Sequence, residues 1–557
     1  MGSGEASLST AARMALIAAF AALTACAGVF SLPPLDRDES RFAQATAQML
    51  ETGDFVTIRF QEDERNKKPV GIHWLQAASV AAFSDVAARE IWAYRLPSAL
   101  GAVLAALFTY LAGARLFGPR VGFAAALLLA SAPAVAGEAT IAKTDAMLLA
   151  AVAGAQAALV HILAATVENR KASLAAVLGF WLALGAGMLL KGPIILMIVG
   201  FTLALTAARG GRFELLTAIR PALGAIILIL MVAPWALAVN EATEGRFFSE
   251  AVGGDMLAKV GAAQESHAGP PGYYLGLLFI LFWPAVALIP PSAALAFSDR
   301  ASWRTQFLIA WLAPSWLVFE LTATKLPHYT LPLYPAIAIL AARAIFANGQ
   351  GETRVSGHIG AAAYCAAGLA FAALIITAPH FYQAAPIRVY SVIAAGSLAA
   401  ATIATAILFQ RGRRQGATIA AAFLSSALAW TLLAGVAPNL DRLKVSERLS
   451  VAIDEKNLHP LHDGAPPAAL AGYREPSAIF LLGTKTILAD GRAAADLALD
   501  AERAVAVEKR EAPAFIDRIR ERGASVEAIA VIEGVNYSNG EDVTIAVYRA
   551  AAEREAM

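Results

Sequence analysis

The sequence predicts a polytopic α-helical membrane protein of about 13 transmembrane helices, followed by a small soluble α/β domain at the C-terminal end. Three observations lead there. Of 557 residues, 58% are hydrophobic and only 16% charged, and the mean hydropathy is +0.59. A soluble surface of this size needs about a quarter of its residues charged, so an ordinary soluble enzyme and a disordered chain are both excluded. Apolar windows of about 20 residues, enough to carry a helix across about 30 Å of hydrocarbon, recur up to residue 440. Charge is also unevenly placed, at about 30% of residues from Asp441 onward against about 12% before it. The formal net charge of +1 hides that contrast, and the absence of a basic stripe argues against nucleic acid as a partner.

The windows lie near 12–31, 95–114, 120–137, 145–166, 173–190, 192–208, 221–240, 273–293, 305–322, 330–347, 359–378, 388–409 and 417–437. The run Ala11–Leu32 is long for a signal peptide and lacks a small-residue cleavage site before the acidic segment, so it reads as the first span. The break at Lys191-Gly192-Pro193 reads as the turn between two spans rather than a kink in one. Cys26 and Cys365 both sit in apolar runs, where a thiol packs as a small hydrophobe, so no disulfide and no Cys-based metal site is expected.

The loops orient the chain. With a cytoplasmic N-terminus, the inner loops hold Arg115 and Arg120; Arg170 and Lys171; Arg209, Arg212 and Arg220; Arg300 and Arg304; Arg354; and Arg411, Arg413 and Arg414. Every inner loop is basic, as the positive-inside rule requires. The long segments 33–94 and 241–272 and the tail then lie outside, in a periplasm-like space. Residues 1–440 form the membrane domain, including the outer loop 33–94 with its amphipathic helices, and residues 441–557 the outer α/β domain. In that tail Arg442–Asn457 and Pro513–Gly523 read as helices. Ala468–Tyr473, Thr486–Ala489, Ala504–Val507, Ala528–Ile532 and Val543–Tyr548 read as strands, with a turn at Asn536–Gly540 before the last.

Chemistry is expected on the outer side. Leu35-Asp36-Arg37-Asp38-Glu39-Ser40-Arg41 opens a helical pattern running through Phe42, Ala45, Met49 and Leu50. It reads either as a solvated helix start, capped by Asp38 or Ser40, or as carboxylates set at a membrane surface. Arg65-Asn66-Lys67-Lys68-Pro69-Val70-Gly71 precedes an amphipathic stretch to Phe83, with Trp74 suited to the interface. Those lysines are either an anchor on headgroup phosphates or ligands for a lipid-linked phosphate. Lys143 and Asp145, Lys191, and Lys325 with His328 fall at the outer ends of other spans. Ionisable groups at such depth are costly and face a polar cavity or a partner. Any one lysine could simply snorkel, but all lie on the side of the acidic loop, where together they make a cationic cavity suited to an anionic lipid.

These pieces resemble the polyprenyl-phosphate-sugar-dependent C-type glycosyltransferases, and within them the bacterial branch of the protein O-mannosyltransferase-like family that contains the lipid A 4-amino-4-deoxy-L-arabinose transferase. The matching residues are Asp38-Glu39-x-Arg41, Lys68-Pro69, Asp145, Lys191-Gly192, His267-Ala268-Gly269-Pro270 with Tyr273-Tyr274, and Lys325-Leu326-Pro327-His328-Tyr329. The resemblance implies the C-type glycosyltransferase fold and an enzyme moving a sugar from a polyprenyl (undecaprenyl) phosphate donor to lipid A or another lipopolysaccharide part. It places the protein in the bacterial inner membrane, among membrane lipids, acting as a monomer. It implies Asp38 and Glu39 as the active-site carboxylates. Arg41, Lys67, Lys68, Lys143, Asp145, Lys191, His267, Tyr273, Lys325, His328 and Tyr329 would bind substrate, with Asp145 and Lys191 as a polar pair and Lys325 on the carrier phosphate. The chain departs from the branch at Lys67, where an acid is common, and at Arg37, which stands between two acids.

Displacing a polyprenyl phosphate requires stabilising negative charge on the departing phosphate, which positioned lysines do. A hydroxyl acceptor needs a general base, for which Asp38 is the candidate; an acceptor phosphate, already anionic, needs only orienting. A single in-line displacement predicts inversion at the anomeric carbon. His267 and His328 could ligate a metal with the acids, but lone histidines beside Gly or Pro turns are more often hydrogen-bonded structural residues. No cofactor is assigned, and a divalent cation stays open. The alternatives are a transporter or flippase of a lipid-linked anion, for which the expected internal repeats are missing, a protein O-mannosyltransferase, and a non-catalytic envelope scaffold.

Overall fold

Apolar segments in hydrocarbon must satisfy their backbone N–H and C=O groups internally, and each of the thirteen windows accordingly folds mainly as helix. A computed structural model of the chain describes residues 8–257, 269–347, 354–382 and 388–550. Among them, seven helices are long and apolar enough to cross a membrane: Ile91–Phe117, Asp145–Val167, Leu174–Lys191, Pro221–Ala242, Val355–Tyr382, Val389–Gln410 and Arg414–Asn439. The number rises to 9 if two bent pairs, Pro119–Ala130 with Pro133–Ala139 and Tyr273–Leu281 with Trp283–Ser298, each form one span. Thr10–Ala25 and Ile194–Arg209 are shorter apolar helices. The count of 13 is therefore not reached by length and composition. Proline is a main reason: Pro133 starts a new helix after a bend of 61°, and Pro327–Leu333 is a tight 3₁₀ stretch ahead of Tyr334–Ile345.

The elements that build the outer side come first in the chain: α1 (Thr10–Ala25), α2 (Arg37–Thr52), the hairpin β1 (Arg59–Phe60) and β2 (Asp63–Glu64), α3 (Gly71–Phe83), α4 (Ile91–Phe117), α5 (Pro119–Ala130), α6 (Pro133–Ala139), α7 (Asp145–Val167), α8 (Leu174–Lys191) and α9 (Ile194–Arg209). The extended Pro33-Pro34-Leu35 stretch delivers Asp36, and it is Asp36 that caps α2, accepting from the Glu39 N–H at 2.8 Å. The expected caps Asp38 and Ser40 lie inside the helix instead. Gly192, at φ +68°, lets the chain fold back between α8 and α9. A Cβ on Gly187 would meet the side chain of Ile195, which lies about 12 Å further along in an unbroken helix.

The tail forms a five-stranded sheet in the order β4-β3-β5-β7-β6, from β3 (Ala469–Ala471), β4 (Ile487–Ala489), β5 (Val505–Glu508), β6 (Val526–Val535) and β7 (Asp542–Ala550). β3 pairs in parallel with β4 and β5, while β7 pairs antiparallel with β5 and β6. All five expected strands appear, and so do the helices at Val445–Asp454 and Ala512–Glu521. Two further helices, Pro476–Leu482 and Gly491–Asp500, carried no clear signal. Pro476–Leu482 is apolar on nearly every side because it is buried on nearly every side, so it shows no 3.6-residue period.

Candidate functional site

Four charged residues in a row start α2, and each has its opposite charge on a different element. The Asp36 carboxylate lies 3.5 Å from Lys143 Nζ, ahead of α7. Arg37 Nε lies 3.4 Å from Glu475 of the tail. Asp38 Oδ1 lies 3.4 Å from Arg41 and 3.4 Å from Arg65. Glu39 takes a two-pronged bond from Arg95 of α4, Nε to Oε1 at 2.7 Å and Nη2 to Oε2 at 2.8 Å. A helix turns about 100° per residue, so one short stretch can pin four neighbours at once.

This separates the two expected catalytic carboxylates. Asp38 is half open, with 51% of its side chain exposed. Burial raises its carboxyl, but Arg65, then Lys143 and Arg41, more than offset that and hold it below the ordinary carboxylate value. Glu39 is only 2% exposed and also accepts the Ala142 N–H at 2.8 Å. Arg95 in turn donates to the carbonyls of Val29, Leu32 and Pro33. Glu39 thus ties the end of the first apolar segment to α4 and offers no oxygen to a substrate, so the structure gives it a positioning place rather than a catalytic one.

The second group gathers where α6, α7 and α8 end. Lys191, the last residue of α8, donates to Asp145, the first of α7, at 2.5 Å. His328 lies between Asp145 (Nε2 to Oδ1, 3.8 Å) and Glu138 of α6 (Nδ1 to Oε1, 3.6 Å). Lys143 Nζ stands 3.8 Å from Glu138 as well as beside Asp36, and Lys191 lies 5.7 Å from the Tyr329 ring centroid. The result is one continuous array, Asp36–Lys143–Glu138–His328–Asp145–Lys191–Tyr329, with Asp38 at its open end. Burial pulls the Lys143 ammonium down, but Glu138, Asp36, Asp145 and Asp38 raise it above its ordinary value, so it stays charged. Among the described residues, Glu138, Asp145 and His328 are the group that could hold a cation, with one ligand atom each within 4.8 Å of the others. Two ammonium groups already sit on those carboxylates and supply positive charge there.

The remaining expected residues divide. Lys325 gives hydrogen bonds to the carbonyls of Gly269 and Thr322, both at 3.1 Å, and Gly269 also lies against the Tyr273 ring. Tyr329 meets His328 edge to face, 5.3 Å between centroids. Arg41 is half-buried beside Asp38, Lys68 is half-buried two residues before Val70, the N-cap of α3, and Lys67 is exposed. His267 lies outside the described residues. Sequence reasoning missed Glu138, Asp36, Arg65 and Arg95 as members. For Glu138 a signal existed, since it is a lone acid at the very end of an apolar window.

A polar relay fixes the loop behind these groups. Gln76 Nε2 donates to the Ala142 carbonyl at 3.1 Å, so its Oε1 is the atom that accepts from Thr46 Oγ1 at 2.7 Å. Thr46 has spent its only proton, so at 2.8 Å it accepts from His73 Nδ1–H. Burial, with Arg65 adding, holds the His73 imidazole down to about 3, and it stays neutral.

Comparison with known proteins places this arrangement. Residues 67–237 match the model of the dolichyl-phosphate-mannose-protein mannosyltransferase family. The fold matches the crystal structure of ArnT from Cupriavidus metallidurans bound to undecaprenyl phosphate, with a TM-score of 0.76 at 19% identity over 97% of this chain and 98% of that one. The chain therefore shares the fold of that protein, a multi-pass helical membrane body with a sheet-containing C-terminal domain.

The sequence is also similar to named members of the expected bacterial branch. The chain is 32% identical over 328 residues to the undecaprenyl phosphate-alpha-4-amino-4-deoxy-L-arabinose arabinosyl transferase of Pseudomonas aeruginosa strain LESB58, covering 57% of this chain and 58% of that protein. A second relative, arabinosyl transferase 1 of Pseudomonas fluorescens strain Pf-5, is 30% identical over 338 residues, or 59% of this chain and 60% of its own length. The chain thus spans under two thirds of the curated relatives it matches.

Proposed function

We propose that this protein is an integral membrane glycosyltransferase. It takes a sugar from a polyprenyl phosphate, undecaprenyl phosphate in the first instance, and passes it to lipid A or another part of the lipopolysaccharide. It acts as a monomer at the outer face of a bacterial inner membrane, with its N-terminus cytoplasmic and its tail domain periplasmic. One observation carries the reading: charged groups from four distant stretches, 36–38, 138–145, 191 and 328, converge where apolar helices end. Its relatives' names supply the donor chemistry.

In this reading Lys68 and Lys325 meet the carrier phosphate. Lys325 gives two of its three N–H groups to carbonyls, and the third is the one a phosphate oxygen would take. Lys143 and Lys191, fixed by their carboxylates, set a positive field that favours the departing phosphate. Asp38 faces the acceptor. Because its carboxyl is held low it is a weak base, which suits orienting an acceptor that is already anionic better than deprotonating a hydroxyl. Attack in one in-line step inverts the anomeric carbon. The test is mass spectrometry of lipid A and protein-linked glycans from cells with and without the gene. A pentose increment lost from lipid A supports the reading. A hexose lost from proteins favours the mannosyl transfer named in the family model, and unchanged glycans overturn both. Asp38→Asn and Lys68→Ala should each abolish transfer in protein that still inserts.

A further inference from the structure

The tail domain touches the helix that carries Asp38 at several places, two of which bear on its first turns. The first is apolar: Phe480, fully buried, sits among Ala43 and Ala47 of α2, Val80 of α3, Ala93 and Tyr94 of α4 and Ala142, with its ring edge-on to Tyr94 at 5.3 Å. That contact fixes the domain to the body.

The second lies at the first turn of α2. Glu475 is the residue before the tail helix Pro476–Leu482 and is almost wholly buried. Its Oε1 accepts from Asn536 Nδ2 at 3.0 Å and its Oε2 from Ser538 Oγ at 2.6 Å, both in the β6–β7 turn, and Arg37 Nε lies 3.4 Å from Oε2. Tyr537, between those two turn residues, donates to Ser477 Oγ at 2.9 Å. Its phenol is near enough to Asp36 and Ser40 for both to act on it. The turn therefore closes on the start of α2 through a buried carboxylate whose neutral neighbours hold it still. Of the four charges that open α2, Arg37 is the one whose partner is not in the body.

We propose that Glu475, oriented by Asn536 and Ser538, is a positioning residue that acts through Arg37 to fix the direction in which Asp38 faces the acceptor. The tail domain is in this sense a working part of the site. This rests on the glycosyltransferase reading for its catalytic consequence, though not for the contact itself. Arg37 and Asp38 are adjacent, so releasing one side of the turn lets the carboxylate swing while Asp36, Glu39 and Phe480 keep the helix in place.

The experiment uses the full chain in vesicles of phospholipid with an undecaprenyl-phosphate-linked aminoarabinose donor and lipid A. Glu475→Gln keeps the shape and removes the charge. It should lower kcat about tenfold, as expected of a small misplacement, with donor KM and Tm unchanged. Arg37→Gln should do the same, and the double variant should be no worse than either single, because both remove one interaction. Arg492→Ala, whose partner Glu521 lies within the tail, should behave as the parent. Wild-type kcat in Glu475→Gln, or losses that add in the double variant and follow Tm, would overturn the proposal. Amide hydrogen exchange at 36–41 is read on the same samples and should quicken in Glu475→Gln. If the parent transfers no sugar, the glycosyltransferase reading fails while exchange still decides the clamp; unchanged exchange there sinks it in either case.

Discussion

Asp38 and Glu39 are neighbours with opposite fates, and the difference is testable at the residue. Glu39 and Arg95 are a buried, doubly bonded pair, and removing one partner of such a pair strands the other's charge, typically at about 3–5 kcal/mol. Glu39→Gln should therefore lower Tm and the amount of inserted protein, whereas Asp38→Asn should leave both intact and remove transfer. Equal Tm values for the two variants would contradict this division. The pH profile gives a second handle. The Asp38 carboxyl is depressed in the folded protein, so its ion pairs contribute stability above the unfolded value of about 3.9, and that contribution fades as pH falls through the lower folded value. Between pH 7 and pH 5 Asp38 stays ionised, so transfer by the parent should show no acid limb from this group. A limb near 6 absent from Asp38→Asn residual activity would mean its carboxyl is raised instead.

At the scale of elements, the start of α2 is where sequence reading worked and where it stopped. The cluster of alternating charges after an apolar run marks a special helix end, and the lysines of separate spans mark one side of the bilayer. What no local pattern holds is which charge meets which: Arg37 finds its partner more than 400 residues away in the tail, and Arg95 looks like an ordinary residue at the mouth of a span. The same limit hid the docking helix Pro476–Leu482, whose apolar residues divide between the body, which takes Phe480, and its own domain, which takes Ala478 and Leu482. Phe480 should then hold the tail to the body. Phe480→Ala removes a fully buried ring, which costs about 3–5 kcal/mol in a packed core. Limited proteolysis near residue 440 should release the tail from this variant far faster than from the parent. An unchanged cleavage rate would mean that the polar contacts of Gln44, Gln61 and Arg89 with the Thr484–Thr486 turn suffice without it.

For the whole molecule, the class was readable because hydrocarbon imposes one rule on every span, and the sheet because its strands are bounded by turns. The number of crossings was not, because apolar length alone does not separate a full span from a bent or shortened one, as Pro119–Ala139 and Tyr273–Ser298 show. Orientation follows from charge: the loops that hold Arg209 and Arg212, and Arg411, Arg413 and Arg414, should stay cytoplasmic. The tail and the Asp38 array lie together, since Arg37 bonds Glu475, so placing either one places the proposed substrate site. With Cys26 and Cys365 replaced by Ala, a cysteine at the exposed position Lys456 should react with a membrane-impermeant maleimide in intact spheroplasts. A cysteine at the exposed position Arg411 should react only after lysis. Labelling of both sites before lysis would report leaky cells and call for a smaller reagent dose. Labelling at Arg411 alone would invert the molecule and put the charged array on the cytoplasmic face, where a carrier sugar bound for the outer leaflet could not be used.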